Sequence, residues 1–398
     1  MFGDRIVPEH DHDPGARVVQ WPAPPGCDGA GIYGVRLRDL PAADLPAVEQ
    51  AARRIGLWVK RLDSDLLVQG PAALFAALPP FRNVRGERRA LGGALRRFRL
   101  GRRALRAGSR VLDLRRPLIV GILNATPDSF YDRGRHFGLR AALARAGDMA
   151  AEGADLIEVG GETARPGPPV PVWEEVRRVV PLVRALAERL PLPVAVDTYK
   201  PEVAQRAVEA GAILINDISG LTDMRMAEVA AASGAALVVM HIRGRPKVRQ
   251  VHPHYDSVVD EVYAFLEART EAARRAGVAA GRLIVDPGFS FGKAPEHDLE
   301  ILGRLGEFRG LGYPIYLATS RKNYIRDLMA LPVEELLAGT AAAIAYGLAQ
   351  GAHLVRTHDV RFMARLVRML TLILRDGAGA AVQARHASAM EVMARDGG

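Results

Sequence analysis

The chain of 398 residues has a single cysteine, Cys27, so it cannot form an internal disulfide framework. This cysteine usage favours a reducing compartment. A charged and then apolar leader is also lacking, because the opening residues, MFGDRIVPEHDHDPG, are acidic and rich in turn formers. The most apolar stretch, residues 336–355, is interrupted by Gly, Gln and His, which indicates a buried helix leading into a strand rather than a membrane span. We therefore expect a soluble, cytoplasmic protein without a membrane partner.

Lysine is scarce as well: only five of the 54 basic residues are lysines. A chain that so often chooses arginine keeps lysine where a compact, mobile charge is useful, and four of the five lie in the motif segments described below. The net charge of +9 comes almost entirely from residues 82–110, which hold eleven arginines and one glutamate. Such a patch could contact RNA or anionic lipid, but no nucleic-acid-binding motif accompanies it. We interpret it as a solvated helix or linker and do not expect nucleic acid as a partner.

From about residue 115 onward, one pattern recurs, in which a short apolar run is followed by turn residues and a stretch of helical periodicity. Eight such runs are present: 117–124, 154–161, 193–198, 212–218, 235–242, 282–288, 314–320 and 352–360. Continuous apolar strands that alternate with amphipathic helices are typical of a parallel sheet covered by helices. Eight units predict an α/β fold of the closed (β/α)₈ or TIM-barrel type over residues 115–375, with a doubly wound open sheet as the alternative.

Residues 1–114 do not follow this pattern. The segments GIYGVRLRDL, LWVKRL and LLVQG resemble strands, and AADLPAVEQAARRIG and PAALFAAL resemble helices. We predict a small α+β domain joined to the barrel through residues 82–110, and the sequence does not indicate its role. After a closing amphipathic helix, the Ala/Gly-rich residues 376–398 are predicted to form a flexible tail.

Each of the eight apolar runs ends in polar residues. In chain order these are Asn124; Glu158, Glu162 and Arg165; Asp197; Asn216 and Asp217; His241; Asp286; Ser320, Arg321 and Lys322; and Arg356, His358 and Asp359. A helix cap or a loop hydrogen bond explains any single cluster, but not the same placement on eight strands. Because the carboxyl ends of barrel strands meet at one mouth, we predict an active site there.

The residue types at this mouth indicate what it binds. The deepest ring combines carboxylates, an amide and an ammonium group: Asp197, Asn216, Asp286 and Lys322. Such a ring suits a flat heterocycle that carries both hydrogen-bond donors and acceptors. Arg356, His358 and Asn124 can hold an anion such as phosphate, with a divalent ion if one is bound. A zinc site is not indicated, since the sequence has neither an HExxH motif nor a cysteine cluster.

These segments resemble, in order, the signatures of the dihydropteroate synthase family over residues 115–360. The matching segments are GILNATPDSFYDRG, GGETARPG, VDT, NDI, MHIRGRP, DPGFSFGK, TSRK and RTHDV. The resemblance implies a (β/α)₈ barrel and a transferase of folate biosynthesis that is the target of sulfonamides. The family joins p-aminobenzoate to (7,8-dihydropterin-6-yl)methyl diphosphate and releases pyrophosphate by a dissociative mechanism. It also implies a homodimer and Mg²⁺ as cofactor.

The resemblance further assigns roles to individual positions. It implies that the pterin is held by Asp197, Asn216, Met240, Asp286 and Lys322. It implies that the diphosphate is held by Asn124, Arg356 and His358, with Mg²⁺ at Asn124. It implies that p-aminobenzoate is held by Phe130, Ala164, Arg165, Pro166 and Asn323. Catalysis is assigned to Asp128, Asp132, Arg165 and Lys322, and the two loops that follow the first two strands are expected to close over the mouth.

Three positions depart from the family pattern. Ala164 stands where the family has Thr, Asn323 where it has Ser, and Glu158 where it has Asp. The first two lie on the side of p-aminobenzoate, so any difference from the family is expected there rather than at the pterin.

Two other functions are compatible with a pterin site. One is a pterin-dependent methyltransferase domain that serves a corrinoid protein, but such a domain has no need for the diphosphate-binding pair Arg356 and His358. The other is a non-catalytic paralogue that binds pterin as a sensor or partner. The presence of Arg165 and Arg321 favours an active synthase.

Overall fold

A computed structural model describes residues 16–20, 32–37, 45–54, 56–62, 65–71, 103–125, 135–248 and 253–376. Apart from its first residue, Pro71, the predicted helix PAALFAAL lies outside the described residues. The arginine-rich residues 82–102, the loop 126–134 and the tail after residue 376 lie outside them as well.

Four strands and one helix come first in the chain: β1 Ala16–Gln20, β2 Ile32–Leu37, α1 Leu45–Arg54, β3 Trp58–Leu62 and β4 Asp65–Pro71. The strands form one antiparallel sheet in the order β1-β2-β4-β3. Helix α1 buries Leu45, Val48 and Ala52, which lie on one face of the helix. The three strands and the first helix of the predicted α+β domain are therefore present, and β1 is an addition to the prediction.

A β-hairpin follows, made of β5 Ala104–Ala107 and β6 Arg110–Asp113. Leu105 and Ala107 are buried, whereas Ala104 and Arg106 point to solvent, as strand alternation requires. The hairpin is tied to the barrel, because the Gly108 N–H donates to the Gly234 carbonyl at 2.8 Å. This last part of residues 82–110 is therefore a strand pair, and our interpretation as a helix or linker is wrong for it.

The barrel contains the eight strands β7 Leu118–Asn124, β8 Leu156–Gly160, β9 Val194–Asp197, β10 Leu214–Asp217, β11 Ala236–Met240, β12 Leu283–Asp286, β13 Tyr316–Leu317 and β14 Leu354–Thr357. They pair in parallel in the order β12-β11-β10-β9-β8-β7-β14-β13. A parallel bridge between Val285 and Ile315 joins the two ends of this order and closes the sheet. The predicted (β/α)₈ barrel is confirmed, and the open sheet is excluded.

Helices cover the outside of the barrel: α2 Arg135–Glu152, α3 Val172–Arg189, α4 Pro201–Glu209, α5 Arg225–Ser233, α6 Val258–Arg275, α7 Pro295–Gly303, α8 Asn323–Met329, α9 Leu337–Ala349 and α10 Val360–Asp376. Their apolar faces pack on the strands, as in α3, where Val179, Val183 and Leu186 are buried. No helix of the described residues is long and apolar enough to cross a membrane.

The lower interior of the barrel is filled with apolar side chains. The hairpin residues Leu105 and Ala107 join this cluster together with Leu118, Leu214 and Leu354, which come from the first residues of their strands. The hairpin therefore closes the amino-terminal end of the barrel, and the inward-facing polar side chains of the described strands lie toward the opposite mouth.

Candidate active site at the barrel mouth

Strand alternation directs the polar side chains inward. Along each strand, every second residue faces the barrel interior, and the positions that continue the buried interior cluster upward include Asn124, Glu158, Asp197, Asn216, Met240, Asp286 and Arg356. Asp217 has the opposite parity and accepts the N–H groups of Ser219 and Leu221, both at 2.8 Å. Asp217 therefore caps its own loop and lies outside the site.

A buried ion-pair network crosses the mouth. The Nε of Arg356 donates to Oε1 of Glu158 at 2.5 Å, and its Nη2 donates to Oδ2 of Asp197 at 2.6 Å. The other oxygen of Glu158 accepts the Tyr316 hydroxyl at 2.6 Å. Arg356 is thus held by two carboxylates, while its Nη1 makes no hydrogen bond within the described part of the chain.

Burial shifts the titration of the groups that line the pocket. It raises the pKa of Asp197 to about 7, although Arg356 opposes the shift. It raises the pKa of Asp286 to about 6, against the effect of the Gly288 N–H and of Lys322. Burial and the charge of Arg356 lower the pKa of Lys322 to about 8. Near neutral pH these groups can therefore change protonation state when a ligand supplies donors or acceptors.

A fully buried amide oxygen in the pocket has no hydrogen-bond partner among the described residues. Asn216 is 3% exposed, and no described residue donates a hydrogen bond to its Oδ1. Leaving such a group unpaired costs about 1–3 kcal/mol, which a donor on a bound molecule would offset. Asn216 lies beside Asp197 in the register of β9 and β10.

An apolar wall stands next to these polar groups. It consists of the buried residues Ile218, Met240 and Ile242, with the half-buried rings of Tyr199 and Phe291 packed against them. The ammonium of Lys322 lies 4.3 Å from the centroid of the Phe291 ring. A polar edge beside an apolar wall is the arrangement that a flat, nitrogen-rich ring requires.

A cavity of about 520 Å³ opens beside the pocket. Four loops line it, at residues 164–166, 242–248, 290–298 and 321–327. Ala164, Arg165, Pro166 and Asn323, which we predicted to hold the second substrate, all line this cavity together with Lys322. Their contact with a substrate stays a prediction.

The cavity carries positive charge that its own carboxylates do not neutralise. Asp298 accepts hydrogen bonds from the N–H and hydroxyl of Ser290, and Asp327 pairs with Arg326 at 2.7 Å. The guanidinium groups of Arg165 and Arg245 have no charged partner among the described residues. The cavity therefore favours an anionic ligand.

Three residues of the cavity wall have backbone angles that favour glycine. Lys247 has φ 69°, Ser290 has φ 65° and Arg321 has φ 53°. Side-chain contacts hold the last two there, since Ser290 is bound by Asp298 and Arg321 by Asp359, the latter at 2.6 and 3.0 Å. Residues held in such conformations are frequent at functional sites. Nothing in the sequence pattern pointed to this backbone geometry.

The second loop is anchored by a buried lysine. The Nζ of Lys200 donates to Glu162 at 2.6 Å, to Glu175 at 2.5 Å and to the Val170 carbonyl at 2.7 Å. Glu162 also accepts the Val170 N–H at 2.9 Å, which closes the loop on itself. In the sequence, Lys200 stands out only as one of the five lysines, and no pattern there identifies Glu175.

Lys293 is a further buried cation that sequence reasoning did not place in the site. Its Nζ lies 2.8 Å from Nδ1 of His241 and 2.7 Å from the Gly288 carbonyl. Burial lowers the pKa of Lys293 to about 7 and lowers that of His241 well below its ordinary value. His241 therefore accepts the hydrogen bond in its neutral form, and the pair fixes the loop that carries Phe291.

The remaining predicted residues differ in what can be described. Asp128, Phe130 and Asp132 lie outside the described residues. His358 is exposed at the rim, where its Nδ1 lies 3.0 Å from the Ser320 hydroxyl. Asn124 ends β7, and its amide makes no hydrogen bond to a described residue. The described residues contain no group of three or more His, Cys, Asp or Glu side chains that could hold a metal ion.

This (β/α)₈ barrel has, at its carboxyl-terminal mouth, a pocket suited to a flat polar ring and beside it a cationic cavity. The two features are typical of an enzyme that brings together a heterocycle and an anion. Residues 120–358 match the profile of the family described as pterin binding enzyme. The chain is 41% identical over 264 residues to the dihydropteroate synthase of Escherichia coli K12, and the match covers 66% of this chain and 94% of that protein.

Two solved structures agree with this relationship. Dihydropteroate synthase from Thermus thermophilus in complex with 4-aminobenzoate is 41% identical, covers 68% of this chain and 100% of that chain, and gives a TM-score of 0.62. The Xanthomonas albilineans dihydropteroate synthase in complex with 7,8-dihydropteroate is 39% identical, with coverages of 68% and 99% and a TM-score of 0.62. The chain belongs to the pterin-binding enzymes and, among them, to the dihydropteroate synthase family.

Proposed function

We propose that the protein is a dihydropteroate synthase, which condenses (7,8-dihydropterin-6-yl)methyl diphosphate with p-aminobenzoate to give 7,8-dihydropteroate and pyrophosphate. The observation that carries this proposal is the joining of two features at one mouth: the ring pocket around Asp197, Asn216 and Asp286, and the cationic cavity that begins at Lys322. A pterin-binding sensor would need only the first of these features.

The ring pocket supports a pterin as its ligand. A pterin presents amino and ring N–H donors on one edge, and the Oδ1 of Asn216 and the carboxylate of Asp286 offer acceptors for them. Lys322 can donate to the ring carbonyl or a ring nitrogen. Met240 and Phe291 supply the apolar surface against which the ring lies.

The diphosphate is assigned to the rim. The Nη1 of Arg356 and the exposed imidazole of His358 are donors for phosphate oxygens. The amide oxygen of Asn124 fits Mg²⁺, a hard cation that is often bound by one or two protein oxygens while phosphates and water complete its shell. When bound, Mg²⁺ would neutralise charge on the departing pyrophosphate.

The reaction proceeds with the leaving group departing first. The bond between the methylene carbon and the diphosphate oxygen breaks, and its electron pair leaves with pyrophosphate. The resulting carbocation is delocalised into the pterin ring, and nearby carboxylates stabilise it. The arylamine nitrogen then attacks the methylene carbon with its lone pair and loses a proton to the pyrophosphate that has departed. Asp132 is our proposed stabiliser of the cation, with Asp128 beside it in the first loop, and closure of both loops would keep water away from the cation.

The cationic cavity is assigned to p-aminobenzoate. Arg165, Arg245 and Lys322 offer positive charge to its carboxylate, in a cavity where Ala164 and Asn323 replace the hydroxyl side chains of the family. A sulfonamide, which resembles p-aminobenzoate in shape and charge, is expected to compete for the same cavity.

Pyrophosphate release tests the proposal most directly. Release that depends on both substrates and on Mg²⁺, with formation of dihydropteroate, is the expected result. Calorimetry separates the alternatives: a synthase should bind p-aminobenzoate only after pyrophosphate and Mg²⁺ are present. Pterin binding without turnover would instead support a sensor, and turnover of a methylated pterin would support a methyltransferase domain.

The assembly is proposed to be a homodimer in the cytoplasm. Helix α10 exposes Phe362, Met369 and Ile373, and a row of apolar side chains on an outer helix is typical of a surface that a second subunit covers. Light scattering coupled to size-exclusion chromatography should give twice the chain mass of 43.0 kDa.

A further inference from the structure

Within the described residues, the buried cluster inside the lower barrel has one member with a polar side-chain group, Tyr316. Its neighbours there, such as Leu118, Leu214 and Leu354, are aliphatic, and all are fully or almost fully buried. The hydroxyl of Tyr316 nevertheless has a partner, because it donates to Oε2 of Glu158 at 2.6 Å. Burial and the charge of Glu158 raise the pKa of Tyr316 well above its ordinary value, so the phenol stays protonated and remains a donor.

Glu158 needs both of its hydrogen bonds. It is 0% exposed, so water cannot replace a missing donor. One oxygen accepts from Arg356, and the other accepts from Tyr316. Without the phenol, a buried carboxylate oxygen would be unsatisfied, and the carboxylate would gain by turning both oxygens toward the guanidinium.

If Glu158 turned in this way, the orientation of the Arg356 guanidinium would change, and with it the hydrogen-bonding groups of the pocket. Arg356 divides its donors, with Nε on Glu158 and Nη2 on Asp197. This division leaves Oδ1 of Asp197 and Nη1 of Arg356 without described partners. If Glu158 took both Nε and an Nη group, Arg356 would rotate away from Asp197, and both of these atoms would lose their orientation.

We propose that Tyr316 is a positioning residue for the pterin substrate: through Glu158 it sets the orientation of Arg356, which keeps one oxygen of Asp197 available to the pterin and one guanidinium nitrogen available to the diphosphate. The proposal rests on the proposed function, because it assigns a task within the same pocket. Tyr316 itself touches no substrate, since it lies one layer below the mouth.

The test is a double-mutant cycle on steady-state kinetics and binding. Tyr316→Phe should raise the KM for the pterin diphosphate about tenfold while leaving the KM for p-aminobenzoate within about twofold. In the Glu158→Asp background, Tyr316→Phe should raise the KM for the pterin diphosphate by no more than about twofold further, because the shorter carboxylate no longer reaches the phenol. Glu158→Asp alone should itself raise the KM for the pterin diphosphate, since it breaks the hydrogen bond with the hydroxyl of Tyr316.

Tyr263→Phe provides the matched control. Tyr263 is 2% exposed and stacks on Phe308, with 6.1 Å between ring centroids, at the outer helices. Loss of this hydroxyl can lower the melting temperature but should change neither KM.

Three outcomes would overturn the proposal: an unchanged KM for the pterin in Tyr316→Phe, equal losses for both substrates, or the same tenfold loss from Tyr316→Phe in the Glu158→Asp background. The kinetic arms are paired with calorimetric titration of the pterin diphosphate in the absence of p-aminobenzoate. If the wild-type protein binds that compound but releases no pyrophosphate, the proposed function fails, while the change in pterin Kd across the cycle still decides the role of Tyr316.

Discussion

Two residues of the cavity wall, Ala164 and Asn323, stand at positions where the resemblance to the family leads us to expect a hydroxyl side chain. Placing a hydroxyl side chain at position 164 should strengthen the binding of p-aminobenzoate. In Ala164→Thr, a hydrogen bond to the carboxylate of p-aminobenzoate should lower the KM for this substrate about threefold to fivefold, as one charge-assisted bond at a solvent-facing site would. The KM for the pterin diphosphate should not change. Both constants can be taken from one pyrophosphate-release assay, and a shift in the pterin constant would contradict our placement of Ala164.

The raised pKa of Asp286 predicts that the stability of the protein depends on pH. Its pKa rises from an ordinary 3.8 to about 6 in the folded protein, so the folded state holds this proton more tightly than the unfolded state does. The resulting stabilisation is complete below about pH 4 and is lost as the pH rises through about 6. A shift of this size corresponds to roughly 3 kcal/mol.

Urea unfolding at several pH values measures this effect. The free energy of unfolding should fall between about pH 4 and 7 more steeply for the wild-type protein than for Asp286→Asn. The side chain is 1% exposed, so solvent screening should not erase the difference. Parallel curves for the two proteins would show that Asp286 ionises normally.

Among the elements, the second loop is held by two lysines, Lys200 and Lys247, of which Lys200 makes the shorter ion pairs, at 2.5 and 2.6 Å. Lys200→Met would leave Glu162 and Glu175 as neighbouring buried carboxylates without this counter-charge, and their side chains are 5% and 1% exposed. We expect a loss of about 3 kcal/mol or more in the free energy of unfolding. Faster hydrogen exchange at residues 163–170 and a higher KM for p-aminobenzoate should accompany this loss.

Arg206→Gln on helix α4, which begins directly after Lys200, is the comparison for this loss. Arg206 pairs with Glu209 at 3.1 Å on the surface, where its side chain is 65% exposed. A surface ion pair of this kind contributes about 0–1 kcal/mol. Equal exchange rates for residues 163–170 in the Lys200→Met variant and in the wild-type protein would exclude the anchoring role.

For the molecule as a whole, substitutions at the amino-terminal end of the barrel should lower stability without affecting the active site at the opposite mouth. Leu105→Ala opens a cavity where the hairpin closes the lower end, which should cost about 2–5 kcal/mol. Arg106→Ala, on the solvent face of the same strand, should cost less than about 0.5 kcal/mol. Neither change should alter a KM, and a kinetic defect in Leu105→Ala at a temperature where it is folded would contradict this separation.

The sequence predicted the barrel because its signal is local and repeated: each strand is an apolar run that ends in polar residues. Because successive side chains of a strand point to opposite faces, Asn216 and Asp286 are then predicted to face the same interior as Asp197. The hairpin was missed, because Leu105 and Ala107 alternate with too few other apolar residues in an arginine-rich stretch.

Other parts of the site could not be predicted, because they depend on contacts between distant parts of the chain. The hydrogen bond from Tyr316 to Glu158 joins residues 158 positions apart. The positive φ angles of Ser290 and Arg321 depend on Asp298 and Asp359, which no turn signal in the sequence links to them. Periodicity shows which face of a strand is buried, but it does not show which side chains meet across the interior.

The barrel closes through one bridge pair, Val285 with Ile315, as far as the described residues show. Asp286 directly follows one side of this seam, and Lys322 belongs to the loop after the strand on the other side. A pterin bound by both residues would link the two sides of this seam, where the strands share the fewest backbone pairs. Bound substrate would then strengthen the closure of the barrel, and the free energy of unfolding would be lower for the enzyme without substrate than for the complex.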